Sequence, residues 1–228
     1  MLIQNKVIGT VAYLGGLHGV LEEFTWCWGQ LIQFSYEYHL QQGESIYFNR
    51  ARISYHAMAR NGLVKEMQGD WLLQLDTDHQ FEPDVLVRLL QIMRDCNADV
   101  VSALYHNKSF PHPATVYAFD EEGKPRVIGD WPKETRAFQV DSCGAGTLLV
   151  KREVFDRIES ELHEEPFNPI ATLGEDHSFF TRCKRLGIRC FVAPAVESYH
   201  MAIHPVRHSD SALDSMSLGD GPKVEGIA

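Results

Sequence analysis

A chain of 228 residues with 44% hydrophobic content and 12 Phe, 8 Tyr and 4 Trp suits one domain with a sizeable core, which excludes a disordered or low-complexity protein. The formal charge of −10 and a pI near 5.5 argue against a non-specific grip on nucleic acid or on an anionic membrane. The five cysteines (Cys27, Cys96, Cys143, Cys183, Cys190) are odd in number and scattered without a CxxC pair, so they read as reduced, buried small side chains rather than a disulfide framework or a zinc site.

The first residues lack a basic region, a long apolar core and a cleavage site, and no run reaches about 18 apolar residues, which predicts a soluble cytoplasmic protein with no transmembrane segment. Lys6 to Ala12 reads as a first strand, followed by a Gly15-Gly16 loop and a helix from about Gly19 to Leu40. In that helix Val20, Phe24, Cys27, Leu31, Phe34 and Tyr38 keep helical spacing. Gly43 allows a helix stop, Ser45 to Phe48 reads as a second strand, and Ala51 to Lys65 as a second helix. Trp71 to Leu75 is the third strand. The next helix carries Leu86, Leu89, Leu90 and Met93 at i, i+3, i+4 and i+7, and Ala98 to Leu104 returns as a strand. This alternation predicts a parallel sheet over the first hundred residues.

After Tyr105 the pattern changes. Pro111, Pro113, Gly123, Pro125, Gly129 and Pro132 punctuate short β-like pieces, which predicts hairpins rather than βαβ units. Gly146 to Val150 then reads as a strand, Lys151 to Ile158 as a short helix, Glu175 to Leu186 as a helix ended by Gly187, and Ile188 to Val192 as the last strand. From Met201 the chain becomes Ser-, Asp- and Gly-rich, so residues 1–200 are expected to form the domain and 201–228 a flexible tail.

The chemistry concentrates at Leu72-Leu73-Gln74-Leu75-Asp76-Thr77-Asp78-His79, an apolar run that stops at two carboxylates. A continuous apolar run is the mark of a strand covered on both faces, and α/β sheets bind ligands at the carboxyl ends of such strands. Residues two apart in an extended segment point the same way, so Asp76 and Asp78 are expected to converge on one hard cation that in turn holds phosphate oxygens. A helix cap explains them less well, because Phe81-Glu82-Pro83-Asp84 already supplies the next helix start. A second cluster, Gly174-Glu175-Asp176-His177, opens a helix. Its carboxylates either balance the helix dipole or serve as a general base. Ser198-Tyr199-His200 lies just beyond the last strand, where His200 is a candidate metal ligand. Mixed carboxylate and imidazole ligation favours Mn²⁺ over Mg²⁺.

The order of these pieces resembles the nucleotide-sugar-dependent glycosyltransferases of the GT-A fold, particularly the small family 2-like enzymes. The resemblance runs from about Val7 to His200. It rests on Asp76-Thr77-Asp78, the segment from Cys143 to Phe155, the segment GEDHSFFTRCKRLG from Gly174 to Gly187, and His200. It implies an α/β fold with a mixed, mainly parallel, Rossmann-like sheet flanked by helices and a smaller β-rich region on the acceptor side. It further implies that Asp78 and His200 bind a divalent metal (Mn²⁺, or Mg²⁺) and that Asp76 binds it through water or holds the donor ribose. Asp176 would be the base of inverting members, with Glu175 positioning the acceptor. Arg60 and Asn61 match a pair placed near the nucleotide, Thr10, Ala12 and Tyr13 match nucleobase and ribose contacts, and Thr77 falls in the donor-binding segment. Gly144-Ala145-Gly146 would let backbone pass close to sugar or acceptor.

The implied reaction is transfer of one sugar from a nucleoside-diphosphate sugar, most simply a UDP-sugar, to a hydroxyl of a glycan, a protein or a small molecule. Two departures bear on it. The second strand reads Ile46-Tyr47-Phe48-Asn49 where many relatives close with an Asp that binds uracil, and the QxxRW motif of processive synthases is absent. Two other readings stand beside it. A nucleotidyltransferase would carry a basic phosphate loop early in the chain, but Gly9 to Gly19 contains no Lys or Arg. A non-catalytic nucleotide- or glycan-binding module would tolerate loss of the base, but Asp176 is present. Inverting and retaining outcomes are both open to this fold.

Overall fold

The computed structural model describes residues 5–15, 20–52 and 55–201. Strand β1 (Lys6–Gly15) lies between and parallel to β2 (Glu44–Arg52) and β3 (Trp71–Asp76). Helix α1 (Glu22–Leu40) connects β1 to β2, and α2 (His56–Glu66) connects β2 to β3. After a turn at Thr77-Asp78 comes the short β4 (His79–Phe81), then α3 (Val85–Asp95) and β5 (Val100–Leu104). The hairpin region supplies β6 (Val116–Phe119), β7 (Pro125–Val127), β8 (Phe138–Gln139) and β9 (Ser142–Cys143). The chain closes with β10 (Thr147–Lys151), α4 (Arg152–Arg157) running into a π-helical turn (Ile158–Leu162), α5 (Glu175–Arg185) and β11 (Cys190–His200).

The main sheet has eight strands in the order β2-β1-β3-β10-β5-β11-β4, with β8 added against β11, and a second sheet has the order β7-β6-β9. The alternating βα units account for the parallel neighbours. β10 breaks the pattern by entering antiparallel between β3 and β5, with Leu149 opposite Leu73 and Val101. The pleat of β3 sorts its side chains between two cores. Leu72 faces a core with Leu148, Val150, Phe155, Phe167, Phe179 and Phe180, while Leu73 and Leu75 face one with Phe24, Leu31, Leu86, Leu89 and Leu149. Each fully buried Leu or Phe contributes roughly 1.5–3 kcal/mol. Gln74 and Asp76 alternate onto the face of Leu72, the side that carries α2.

Several elements differ from the sequence reading. β2 continues through Ala51 and Arg52, which pair with Leu14 and Gly15, so parallel pairing overrides the helix-forming tendency expected from Ala51. The buried stripe of α1 runs Phe24, Cys27, Leu31, Ser35 and His39, leaving Val20 and Tyr38 exposed in place of the expected core positions. β4 was not expected at all. β11 runs on from the expected Ile188–Val192 to His200: a register shift between Ala193 and Glu197 ends its parallel run with β5, and its last residues pair antiparallel with β4. Four cysteines are buried, Cys96 is partly so, and all five are free thiols. The expected tail lies outside the described residues from position 202 on. Among the described residues no helix is long and apolar enough to cross a membrane.

Candidate active site

The carboxyl ends of β1 and β3, the start of β10 and the end of β11 meet at one edge of the main sheet, where most of the chemistry-bearing residues gather. β3 ends at Asp76, and Thr77-Asp78 form a turn, so the two-residue alternation does not extend to Asp78. The two carboxylates therefore take separate partners instead of converging. Asp76 accepts hydrogen bonds from Arg60 Nη2 at 2.9 and 3.1 Å. Asp78 lies against Lys108, with His200 Nε2 at 3.5 Å from Oδ2 and His79 Nε2 at 3.9 Å from Oδ1.

Asp78, His79 and His200 form a group whose ligand atoms all lie within 4.8 Å of one another. Strand pairing builds it: His79 and His200 are directly opposed on the β4–β11 ladder, and their rings stack at 4.7 Å. Each imidazole is oriented from behind. His200 Nδ1 donates to the His106 carbonyl at 3.1 Å; a carbonyl only accepts, so Nδ1 carries a proton and Nε2 is left facing Asp78. His79 Nδ1 bonds Ser198 Oγ at 2.8 Å, which bonds Thr147 Oγ1 at 3.0 Å. Such partners fix ring orientation in metal sites. Burial, with the charges of His200 and Lys108 nearby, pushes the His79 imidazole down to about 3, so it is neutral and has a lone pair to give at physiological pH. Burial pushes the Asp78 carboxyl up, but hydrogen bonds from His200 and Lys108 outweigh it and hold the group well below the usual carboxylate range. One carboxylate and two imidazoles, with their ligand atoms this close together, fit a divalent cation.

Tight backbone approach seals the group. An added Cβ at Gly146 would stand 2.3 Å from His79 Nε2, and one at Gly144 would stand 1.8 Å from Tyr105 Oη. Gly146 N–H donates to that same Tyr105 oxygen at 3.1 Å, and Gly146 C=O accepts from Asp76 N–H at 2.8 Å. The glycines thus serve packing against Tyr105 and His79, and Ala145 is buried with its carbonyl turned to Arg60.

Arg60, 2% exposed, is the hub below. Nη1 donates to Gln74 Oε1 at 3.0 Å and to Ala145 O at 3.1 Å, Nε stands 3.7 Å from Glu175 Oε1, and the guanidinium lies 5.9 Å from the Phe167 ring centre. Burial works against its charge, but Asp76, Glu175 and Asp176 together raise its pKa, so it stays cationic. Arg60 therefore aligns the carboxylates from a buried position. Glu175 and Asp176 start α5 after Gly174, both partly buried, in the first turn where the helix dipole favours negative charge. Next to them His177 Nδ1 bonds Ser142 Oγ at 2.8 Å, and its ring meets Tyr117 edge-on.

Several expected contacts lie elsewhere. Asn61 donates to Asn168 Oδ1 at 2.9 Å and accepts from Phe167 N–H at 2.9 Å, so it pins the segment before α5. Thr10 is fully buried, four residues short of Leu14, the partner of Asp76, and its hydroxyl is exchanged with the Gln68 backbone at 2.7 and 2.8 Å. Ala12 is wholly enclosed and Tyr13 packs edge-on against Phe24 and Trp28. Thr77, 9% exposed, lies in the turn itself. The residues missed by sequence reasoning are His79, although it stands beside Asp78 in the quoted run, and Lys108.

Residues 33–158, more than half of the chain, match the family model described as Glycosyl transferase family 2. Among the curated proteins none is significantly similar in sequence. In structure the chain is similar to A197 from STIV, at 22% identity and a TM-score of 0.54, over 85% of this chain and 86% of that one. It is also similar to GalNAc-T7 solved with UDP, GalNAc and Mn²⁺, at 13% identity and a TM-score of 0.58, over 87% of this chain and 44% of that one.

Proposed function

The chain belongs to glycosyl transferase family 2 and is a glycosyltransferase, and from that premise we propose that it moves a single sugar from a UDP-sugar to an acceptor hydroxyl, with inversion and with a divalent metal. The observation that carries the reading is the grouping of Asp78, His79 and His200 beside the end of β3, with Glu175 held to the same edge by Arg60 and Asp176 next to it at the start of α5. The choice of UDP and Mn²⁺ is supported by the ligands of GalNAc-T7, a protein of the same fold.

In this reading Asp78, His79 and His200 hold the metal, and Asp76 acts from the second sphere, fixed by Arg60. When bound, the metal supplies positive charge against the diphosphate as it leaves. The Thr77 turn lines the donor's path, and Gly144, Ala145 and Gly146 support it from behind through their packing on Tyr105, Arg60 and His79. Tyr13, near the end of β1, is the remaining candidate for a base or ribose contact. Asp176 takes the proton from the acceptor hydroxyl as that oxygen forms its bond to the anomeric carbon. The bond from that carbon to the diphosphate oxygen breaks on the opposite face, which gives inversion. Glu175 sets the acceptor beside Asp176.

The test is nucleotide release from a panel of UDP-, GDP-, TDP- and CMP-sugars with Mn²⁺, Mg²⁺ or EDTA, comparing wild type with Asp78→Ala and Asp176→Ala. Release of UDP is expected only with metal, and removal of the base should cost roughly 10²–10⁴-fold in rate. Release that survives both EDTA and Asp176→Ala would overturn the reading. UDP binding without turnover on any acceptor would favour a binding module.

A further inference from the structure

Lys108 occupies a place that the proposed mechanism leaves unexplained. Its ammonium lies on Asp78 Oδ2, the same oxygen that His200 Nε2 approaches at 3.5 Å. Asp78 is the one carboxylate of the three-residue group, so this contact neutralises the group's only negative charge.

The turn that presents Lys108 is internally ordered. His106 and Ala114 form a bridge, Asn107 N–H donates to Pro113 O at 2.9 Å, and His112 N–H donates to Ser109 O at 2.8 Å. Asn107 Oδ1 accepts from Ser109 N–H at 2.8 Å. The base of the same turn accepts the Nδ1 hydrogen of His200 through His106 O. The lysine is thus carried on a firm support registered to one of the proposed ligands, while its own side chain is about one-third exposed on a four-carbon stem.

A divalent cation and an ammonium cannot both sit on one carboxylate oxygen without strong repulsion. Metal entry must move the ammonium, and the anion then nearest to it is the diphosphate that the metal would hold. Resting on the metal-dependent reading above, we propose that Lys108 is a donor-binding residue that exchanges Asp78 for the donor diphosphate, so that metal and nucleotide bind cooperatively. Without nucleotide, Lys108 competes with the metal for Asp78. With nucleotide, it adds a cation to the leaving group, and the competition becomes assistance.

The experiment is a titration of Mn²⁺ followed by the electron paramagnetic resonance of free ion, with and without UDP, on wild type, Lys108→Met, Lys108→Arg and Asp78→Ala. In wild type, UDP should tighten Mn²⁺ binding about tenfold or more, within the usual range of coupling between sites. Lys108→Met should bind Mn²⁺ alone more tightly than wild type and lose most of the tightening by UDP, while its affinity for UDP with Mn²⁺ falls about tenfold. Lys108→Arg should keep the UDP affinity. Wild-type values for Lys108→Met in both titrations, or weaker binding of Mn²⁺ alone, overturn the role of Lys108. Absence of Asp78-dependent Mn²⁺ binding in wild type overturns the metal reading itself, and the role of Lys108 with it.

Discussion

Replacing Arg60 by Met tests whether the candidate site is assembled by one buried cation. Arg60 is 2% exposed and serves three acceptors: Asp76, Gln74 Oε1 and Ala145 O. Methionine has similar length and keeps the contact with Phe167, so little volume is lost. Stranding a buried neutral acceptor costs about 1–3 kcal/mol, which applies to Gln74 and Ala145. Asp76 adds an unpaired carboxylate, tempered by its 28% side-chain exposure, which lets water reach it. Breaking a buried pair by removing one partner costs about 3–5 kcal/mol, and the sum here belongs near the upper end. That is a large part of a typical folding free energy of roughly 5–15 kcal/mol. Urea unfolding of wild type and Arg60→Met, followed by circular dichroism, measures it as a shift in midpoint at constant slope. Adding Asp76→Asn to Arg60→Met removes the stranded charge and should recover at least about 1 kcal/mol. A single-variant loss under about 1 kcal/mol, or a double variant less stable than the single, would refute the hub argument.

Gly146→Ala should destabilise the fold by about 1–3 kcal/mol and weaken Mn²⁺ binding, because the new methyl would stand 2.3 Å from His79 Nε2; thermal unfolding and metal titration read the two effects. His79→Ala should lower Mn²⁺ affinity at least about tenfold, whereas Asp76→Asn should leave Mn²⁺ binding within a few-fold of wild type; equal losses would return Asp76 to the ligand set. Away from the candidate site, Asp99 should contribute to acid sensitivity. Burial raises its pKa, but hydrogen bonds from Lys151 and from Arg189 hold it below the ordinary value. A carboxylate with a lowered folded pKa adds stability above its unfolded pKa of about 3.9 and loses it as pH falls through the folded value. Asp99→Asn should therefore cost stability at pH 7 and little near pH 2, as measured by urea midpoints across that range.

The parts of the fold legible in the sequence are those set by local pattern. β3 was readable because an apolar run ends at Asp76, and α3 because Leu86, Leu89 and Met93 repeat at helical spacing. The start of α5 was readable from Gly174-Glu175-Asp176. What escaped depends on pairing between distant residues. β4 has three residues and gains its identity from Ser198, Tyr199 and His200, more than a hundred positions away. No local signal distinguishes it from a turn. The same pairing explains why the sequence gives His79 no role and places His200 beyond the last strand. The partners of Asn61 and Thr10 are illegible for a related reason: their polar groups answer backbone groups at Phe167 and Gln68, brought near only by the fold. The burial of Ser35 and His39 in α1 defeats a hydrophobic pattern outright, since a polar pair takes the buried positions that helical spacing assigns to Phe34 and Tyr38.

The family match ends at residue 158, yet Glu175, Asp176 and His200 all follow it. The structure gives a physical reason why the candidate site draws on both parts. β10 enters antiparallel beside β3, which brings Gly146 to the end of that strand, and β11 then pairs with β5 before crossing to β4. The shift between Ala193 and Glu197 is what frees the last residues of β11 for β4. Without it, the continued β5 register would carry His200 past Leu104 and away from His79. The third candidate ligand is thus delivered by an irregularity in an otherwise ordinary sheet. Irregular strand pairing of this kind is characteristic of places where a fold re-aims a side chain, and here it turns one imidazole onto another above a carboxylate.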